Sequence, residues 1–448
     1  MRRWTRALAV LGAGALTLTA CGGGEEDPLG AMEEEAGGAQ DEGAAAEDAE
    51  APELDQDDVE IFSWWTGAGE EAGLLALIDM FEQQTDYTVV NSAVAGGAGT
   101  DARAVLASRM QAGDPPSSFQ IHASRALLDT WVAAGAMEPI TFLWDEEGWR
   151  DVFPESIVEQ VTGDDGEIYS VPVNVHRSNV VFANAAVLEE NGVELPTTHE
   201  EFVQAAQTLQ EAGVTPLALG DNETWTLVHT WEGVLLASAG PELYRDLFAG
   251  EADWTSPEVI ESFEHLDEMF QYINDDHAAR NWQDASQLVA DGEAAMTIMG
   301  DWAAGYFATD LELQPETDFV WAPTPGTDGM FITVIDTFGL PEGGPNRDGT
   351  VEWLRLLGSV EGQDTFNPLK GSIPARTDAD ISQYNEYGQQ TYEEFQSDEL
   401  LPSLAHNSAA PPNFTDEALQ VLEIFMSQRD PQQAADALQQ AADDYLRS

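Results

Sequence analysis

Cys21 is the only cysteine in the sequence, so no intrachain disulfide can form and any folded body must be held by packing and hydrogen bonding alone. Core material is plentiful: the 448 residues include thirteen tryptophans, and the length suits two or three domains. The position of the cysteine adds a second constraint. Arg2, Arg3 and Arg6 form a cationic stretch, Ala7 to Leu18 is apolar but shorter than the ~18 to 20 residues of a stable spanning helix, and small residues precede Cys21. This layout predicts a cleaved signal segment over residues 1–20. No other apolar run reaches spanning length, which predicts a water-soluble body beyond it.

Leu18-Thr19-Ala20-Cys21 resembles the lipobox of bacterial lipoproteins, and that resemblance implies acylation of the Cys21 thiol and attachment to the outer face of the cytoplasmic membrane through lipid alone. An ordinary secretory signal with a chance cysteine is the alternative. Gly22 to Asp58 has no basic and no aromatic residue and is dominated by Gly, Ala, Glu and Asp. Such a segment buries too little apolar area to offset its ordering entropy, so residues 21–58 are expected to form a disordered acidic tether.

The formal net charge of −67 excludes several partners. Nucleic acid binding needs clustered Lys and Arg to displace counterions, and an anionic membrane face would repel this surface. Carboxylates at this density repel one another unless screened, and the Debye length falls from ~8 Å at physiological salt to ~3 Å at 1 M. A salt-adapted protein is therefore expected, whose thermal midpoint rises as NaCl approaches molar levels; a midpoint falling over that range would contradict the idea. All but one of the sixteen basic residues are arginine. The exception, Lys370 in Asn367-Pro368-Leu369-Lys370-Gly371, marks a place where a compact three-donor ammonium suits a ligand better than a flat guanidinium, unless it is one surface lysine left by chance.

From Val59 onward strand-like runs alternate with amphipathic helices. Ile61 to Trp65 reads as a buried strand, and Leu74, Leu77, Ile78 and Phe81 share one helical face. A second strand over Thr88 to Val94 leads to the glycine-rich Gly96 to Gly99, which reads as a tight turn rather than an anion cradle, and Thr100 is expected to cap a helix that ends at Gly113. This is the βαβ grammar of a parallel sheet. Farther on, Tyr169 to Phe182 is an apolar, β-branched run interrupted by Asn174 and His176, Thr198 to Glu201 reads as a capping box opening a helix to Ala212, Pro216 to Leu219 as strand, Pro257 as the start of a helix through Tyr272, and Ala294 to Met299 as strand with Asp301 at its mouth. No short-period repeat is present, which disfavours solenoids and propellers.

Catalytic signatures are missing where each would demand specific atoms: no G-x-S-x-G elbow, no H-E-x-x-H, no Walker A glycine spacing before Lys370 and no EF-hand loop. The seven histidines lack metal-ligand spacing, so neither metal nor cofactor is expected. Aromatic residues instead stand beside polar ones at predicted strand ends: Trp64 and Trp65 before Glu70, Gln120 and His122 within Phe119 to Ser124, Trp225 after Asp221 and Asn222. Sugar recognition needs both kinds, indole faces for the C–H surface of a pyranose and carboxylate, amide, imidazole or ammonium groups for its hydroxyls. Neighbouring strand residues point opposite ways, so one of Trp64 and Trp65 could serve packing only.

Ser63-Trp64-Trp65-Thr66, Val94 to Thr100, Phe119-Gln120-Ile121-His122-Ala123, Val171 to Arg177, Ala295 to Trp302 and Asn367 to Arg376 together resemble, in order, glucose-binding proteins of ABC sugar importers in extracellular solute-binding protein family 1. The resemblance covers Val59 to the C-terminus. It implies an α/β fold of two periplasmic-binding-protein lobes, joined by crossing hinge strands near residues 170, 323 and 372, with a monosaccharide, glucose above all, held between them and no chemistry performed. Lobe 1 would comprise 59–170 and 323–371, lobe 2 171–322 and 372–448. Matched by position, Trp64 and Trp65 would stack on the sugar and Glu70 would accept from its hydroxyls. Gln120 and His122 would extend the same wall, Trp282 would stack from the other lobe, and Asp336, Lys370 and His406 would complete the ring. His176, Trp225 and Asp301 stand behind these as a second group. The implied partner is an ABC permease, with the binding protein a monomer. Two other readings are a secreted glycoside hydrolase with Glu70 and Asp336 as acid and base ~5 to 9.5 Å apart, and a sensor that presents sugar to a receptor.

Overall fold

The structure, a computed structural model, describes residues 52–95, 99–124 and 127–447. The signal segment, Cys21, all but the end of the tether and Gly96 to Ala98 lie outside these. Strand β1 (Asp58–Phe62) is buried over four of its five residues and lies parallel to both β2 (Thr88–Asn91) and β3 (Ser118–His122). The helix Ala68–Gln84 between β1 and β2 buries Leu74, Leu77, Ile78 and Phe81, the face its 3.6-residue spacing predicts. The sheet is nevertheless mixed. Beyond β3 comes β12 (Asp336–Pro341), antiparallel to β3, to β4 (Met137–Glu138) and to β5 (Ser170–Pro172). β12 is the return of the chain from the far half of the molecule, so its direction is set by a connection that local grammar does not reveal.

The run Tyr169 to Phe182 is three strands rather than one. β5 belongs to the first sheet, β6 (His176–Arg177) to a three-stranded one and β7 (Val180–Asn184) to a four-stranded one. Side-chain amides replace ladder bonds at the breaks. Asn174 Oδ1 accepts the Asp336 backbone N–H at 2.9 Å, and Asn179 Oδ1 accepts that of Ile332 at 2.9 Å. In the four-stranded sheet β7 lies between β9 (Ala294–Met299) and β10 (Phe319–Pro323), antiparallel to both, while β8 (Thr215–Ala218) runs parallel to β9. β6 pairs antiparallel with β11 (Met330–Val334), which pairs in parallel with β13 (Glu399–Pro402). Val175 bridges Ile373, so three passages of chain lie side by side between the larger sheets. The helix His199–Ala212 is capped by Thr198, but Glu201 returns its carboxylate to the N–H and hydroxyl of Thr197, one residue earlier than a reciprocal box requires.

Each larger sheet carries its own core. One gathers Trp144, Trp149 and Trp353 about the first sheet; the other gathers Trp231, Trp254 and Phe263 about the second. Two such cores joined by paired crossings make a two-lobed α/β fold. Among the described residues no helix is long and apolar enough to cross a membrane. Two glycines set how closely the elements beside Lys370 approach. A Cβ on Gly69 would meet the Leu369 carbonyl oxygen at 2.1 Å, and one on Gly305 would meet that of Lys370 at 2.3 Å. Backbone thus packs on backbone from both sides at the end of the helix Val360–Lys370, which fixes where the Lys370 side chain starts.

Candidate ligand-binding site

A cavity of about 250 Å³ lies between the halves. Its wall contains Trp64, Trp65, Trp225, Trp282 and Trp302, with His122, His176 and His406, and with Glu70, Glu223, Asp336 and Lys370. Local structure explains several placements. Trp64 and Trp65 follow the end of β1 directly, where the chain turns before the helix Ala68–Gln84. Trp65 is 1% exposed and packs on Phe338 and Phe366, with ring centroids 5.5 and 4.7 Å away, whereas the half-buried Trp64 meets the edge of His122 at 5.2 Å and lies so close to Gly99 that a Cβ there would come within 2.6 Å of its indole. Of the pair, Trp64 is the more exposed. The Trp65 Nε1–H is buried and has no hydrogen-bond partner. Trp282 opens the helix Trp282–Ala290, and a full capping box between Asn281 and Asp284 holds that start in place.

Asp336 is the electrostatic centre. It is 3% exposed; Oδ1 accepts from Gln120 Nε2 at 2.8 Å and Oδ2 from Asn174 Nδ2 at 2.8 Å. His122 Nε2 and His176 Nε2 each lie 3.5 Å from it. Burial alone would raise its carboxyl, but the hydrogen bond from His176 and the charges of the neighbouring histidines and Lys370 hold it well below the usual carboxylate range. His176 bonds Asp301 through Nδ1. Burial opposes the imidazolium, yet the two flanking aspartates prevail and raise His176 above its ordinary value. His122 and His406 behave oppositely: burial lowers the first to about 4 and the second well below a free histidine, so both are neutral near pH 7. Lys370 Nζ donates to Glu70 Oε1 at 2.7 Å and stands 6.0 Å from the centroid of Trp302.

The structure therefore brings Trp64, Trp65, Glu70, His122, Trp282, Asp336, Lys370 and His406 to one wall, together with His176 and Trp225. Gln120 and Asp301 stand one layer behind. Gln120 clamps Asp336 to the Trp64 N–H, and the fully buried Asp301 accepts from His176 and from the Arg177 N–H. Trp302, Glu223 and Gln283 also line the cavity and were not singled out by sequence. Trp302 sits in a string that was, next to Asp301, but no spacing rule says which of two adjacent residues beyond a strand end turns inward. Histidine spacing also concealed a cluster: His122, His176, His229 and His406 converge here, and the ligand atoms of His229, Glu232 and His406 lie within 4.8 Å of one another.

The sequence profile of the bacterial extracellular solute-binding protein family matches residues 59–364. An uncharacterised ABC transporter extracellular-binding protein of Pyrococcus horikoshii is 36% identical over 383 residues, 84% of this chain and 86% of its own. The xylose/arabinose-binding protein of Haloferax volcanii is 31% identical over 360 residues, 79% and 77% of the two chains. Among solved structures, a bacterial solute receptor described as exclusive for β-D-galactopyranose superposes with a TM-score of 0.77 at 23% identity, over 87% of this chain and 98% of its own, a likeness of fold. With two lobes enclosing an aromatic-walled cavity and most of its length matched by the profile, the chain belongs to the bacterial extracellular solute-binding protein family, whose members are binding proteins rather than enzymes.

Proposed function

We propose that the protein is the sugar-binding component of an ABC importer, anchored by lipid at Cys21 outside the cytoplasmic membrane. It captures one monosaccharide, glucose, and delivers it to a membrane permease as a monomer. The lobes are 59–170 with 323–371 and 171–322 with 372–448, and they close over the guest by rotation about the crossing strands. The observation that carries the reading is the wall itself, five indoles interleaved with polar groups around about 250 Å³. That volume is below the ~300 to 1,000 Å³ of drug-sized pockets and suits one sugar ring better than an oligosaccharide. Charged groups on the wall already have partners, Lys370 with Glu70, His176 with Asp336 and with Asp301 behind it, and Glu223 with the Trp225 indole N–H, which favours a neutral polyhydroxyl guest over an ion. A relative 31% identical is named for two pentoses, also single-ring sugars. A ligand moves the open–closed balance only through its extra affinity for the closed state, and wall groups drawn from both lobes supply that difference.

Hydrolysis is a poor fit to the same wall. A general acid needs a raised carboxyl pKa, while Asp336 is held low and Glu70 is committed to Lys370. Incubation with aryl glycosides is expected to release no phenol. Titration of intrinsic tryptophan fluorescence with glucose, galactose, mannose, xylose and maltose is expected to saturate at the lowest concentration with glucose; silence toward every monosaccharide would remove the proposal. Calorimetry on Trp282→Ala should show glucose affinity reduced about tenfold, roughly 1.4 kcal/mol, and an unchanged value would take Trp282 out of the site.

A further inference from the structure

Beneath the cleft, two histidines, two serines and one glutamate form a continuous buried chain of hydrogen bonds. Glu232, 0% exposed within the helix Trp225–Phe248, accepts from four donors. Oε2 takes the backbone N–H groups of Leu404 at 2.7 Å and Ala405 at 3.1 Å; Oε1 takes the hydroxyls of Ser178 at 2.9 Å and Ser403 at 2.8 Å, the latter also 3.0 Å from Oε2. Each serine oxygen then meets an imidazole: Ser178 Oγ is 3.1 Å from His229 Nδ1, and Ser403 Oγ is 2.9 Å from His406 Nδ1. These hydroxyls link Glu232 to His229 and to His406 and leave the carboxylate fully used by donors.

With Glu232 ionised, the proton count along this chain has one solution. An ionised carboxylate only accepts, so both serine protons point at Glu232. Each serine oxygen is then left to accept, and the imidazole facing it must donate from Nδ1. With Nδ1 so engaged, the remaining ring nitrogen of His406, a residue of the cleft wall, is Nε2. We propose that Glu232 is a positioning residue that fixes His229 and His406 as Nδ1–H tautomers, presenting Nε2 of His406 as an acceptor and so favouring a guest whose hydroxyl donates at that point. The effect on the guest rests on the cleft being a sugar site; the tautomers do not. Glu232 acts at a distance, through Ser403 and through the backbone of Leu404 and Ala405 that carries His406.

The test reads the tautomer directly, by long-range ¹H–¹⁵N correlation on ¹⁵N-histidine-labelled protein at pH 8 without sugar, the His406 signals being identified with His406→Gln. At that pH the carboxylate, pushed up to about 7 by burial, is ionised, and both rings are neutral because burial lowers His229 to about 3 and His406 well below its ordinary value. His406 is expected to carry its proton on Nδ1. In Glu232→Gln the amide oxygen must face the N–H groups of Leu404 and Ala405, which can only donate, so the NH₂ faces the serines and their protons turn to the rings. The His406 proton should then move to Nε2, and glucose affinity should fall about three- to tenfold. Ser403→Ala, which leaves the Glu232 bonds to Ser178 and the backbone in place, should release His406 into a mixture of tautomers, and it serves if Glu232→Gln does not fold. An Nε2 proton on wild-type His406, or an Nδ1 proton unmoved in both variants, would overturn the tautomer assignment. Expected tautomers with unchanged glucose affinity would overturn the selection of the guest. A wild-type protein blind to all sugars but with the expected tautomers would count against the sugar reading alone.

Discussion

Replacing Asp336 by asparagine is expected to abolish measurable sugar binding and to lower folding stability by about 3 to 5 kcal/mol, the scale of breaking a buried charge pair by removing one partner. The substitution is nearly isosteric, so the expectation rests on hydrogen-bond direction. Two amide NH₂ groups, those of Gln120 and Asn174, donate to the two oxygens of Asp336. An asparagine there must turn its own NH₂ toward one of them. Neither neighbour can flip freely to accommodate it, because Gln120 Oε1 already accepts the Trp64 N–H at 3.2 Å and Asn174 Oδ1 the Asp336 N–H at 2.9 Å. A donor would face a donor in a buried site, and of the two carboxylates beside it His176 would keep only Asp301. The disturbance would pass through Gln120 to the backbone of Trp64, the more exposed of the two indoles beyond β1.

The pH dependence of stability gives a second view of the same cluster. The Asp336 carboxyl is depressed in the fold, so its contribution is present above the ~3.9 of a free aspartate and is lost as pH falls through the lower folded value. His176 is raised, so its contribution is full below ~6.5 and is lost as pH rises through the higher folded value. Urea unfolding of the sugar-free protein should therefore show the acid-side loss in wild type and a weaker one in Asp336→Asn. Wild-type stability and sugar affinity in that variant would contradict the central role assigned to Asp336.

How far the sequence reaches depends on whether a feature is local. The buried face of Ala68–Gln84 follows from its own spacing, and Ala294 to Met299 is a strand with the same bounds in sequence and structure. The helix Pro412–Gln428 buries Phe414, Ala418, Val421, Leu422 and Phe425, a periodic signal as local as that of Ala68–Gln84. Lys370 was conspicuous by composition, and its side chain does reach the cavity wall. The Glu232 chain was beyond reach for a physical reason. Ser178 and Ser403 are 54 and 171 residues from Glu232, and nothing in either neighbourhood distinguishes a serine that satisfies a buried carboxylate from one facing water. The mixed direction of the first sheet was hidden similarly, since β12 is aligned by a crossing whose partner strand is more than a hundred residues away.

Trp302→Ala is expected to weaken sugar binding by about 2 to 4 kcal/mol, roughly 30- to 1,000-fold. The argument is geometric. The Trp302 ring has its neighbours on several sides, with centroids of His406 at 5.2 Å, His176 at 5.4 Å, His229 at 5.5 Å and Trp225 at 6.2 Å, and Lys370 Nζ at 6.0 Å. It touches the paired aspartate–histidine group, the glutamate–serine chain and the lone lysine at once, so its removal loosens all three besides deleting an indole from the wall. Truncating a buried tryptophan also costs about 3 to 5 kcal/mol of stability, so affinity must be measured at a temperature where the variant is folded. Trp302→Phe separates the two effects, because a smaller ring keeps an aromatic face for the sugar while leaving part of the cavity open. It should recover about half of the lost binding free energy. Equal losses in the phenylalanine and alanine variants would mean that the indole outline, not an aromatic face, is what the guest requires, and wild-type affinity in Trp302→Ala would remove Trp302 from the site.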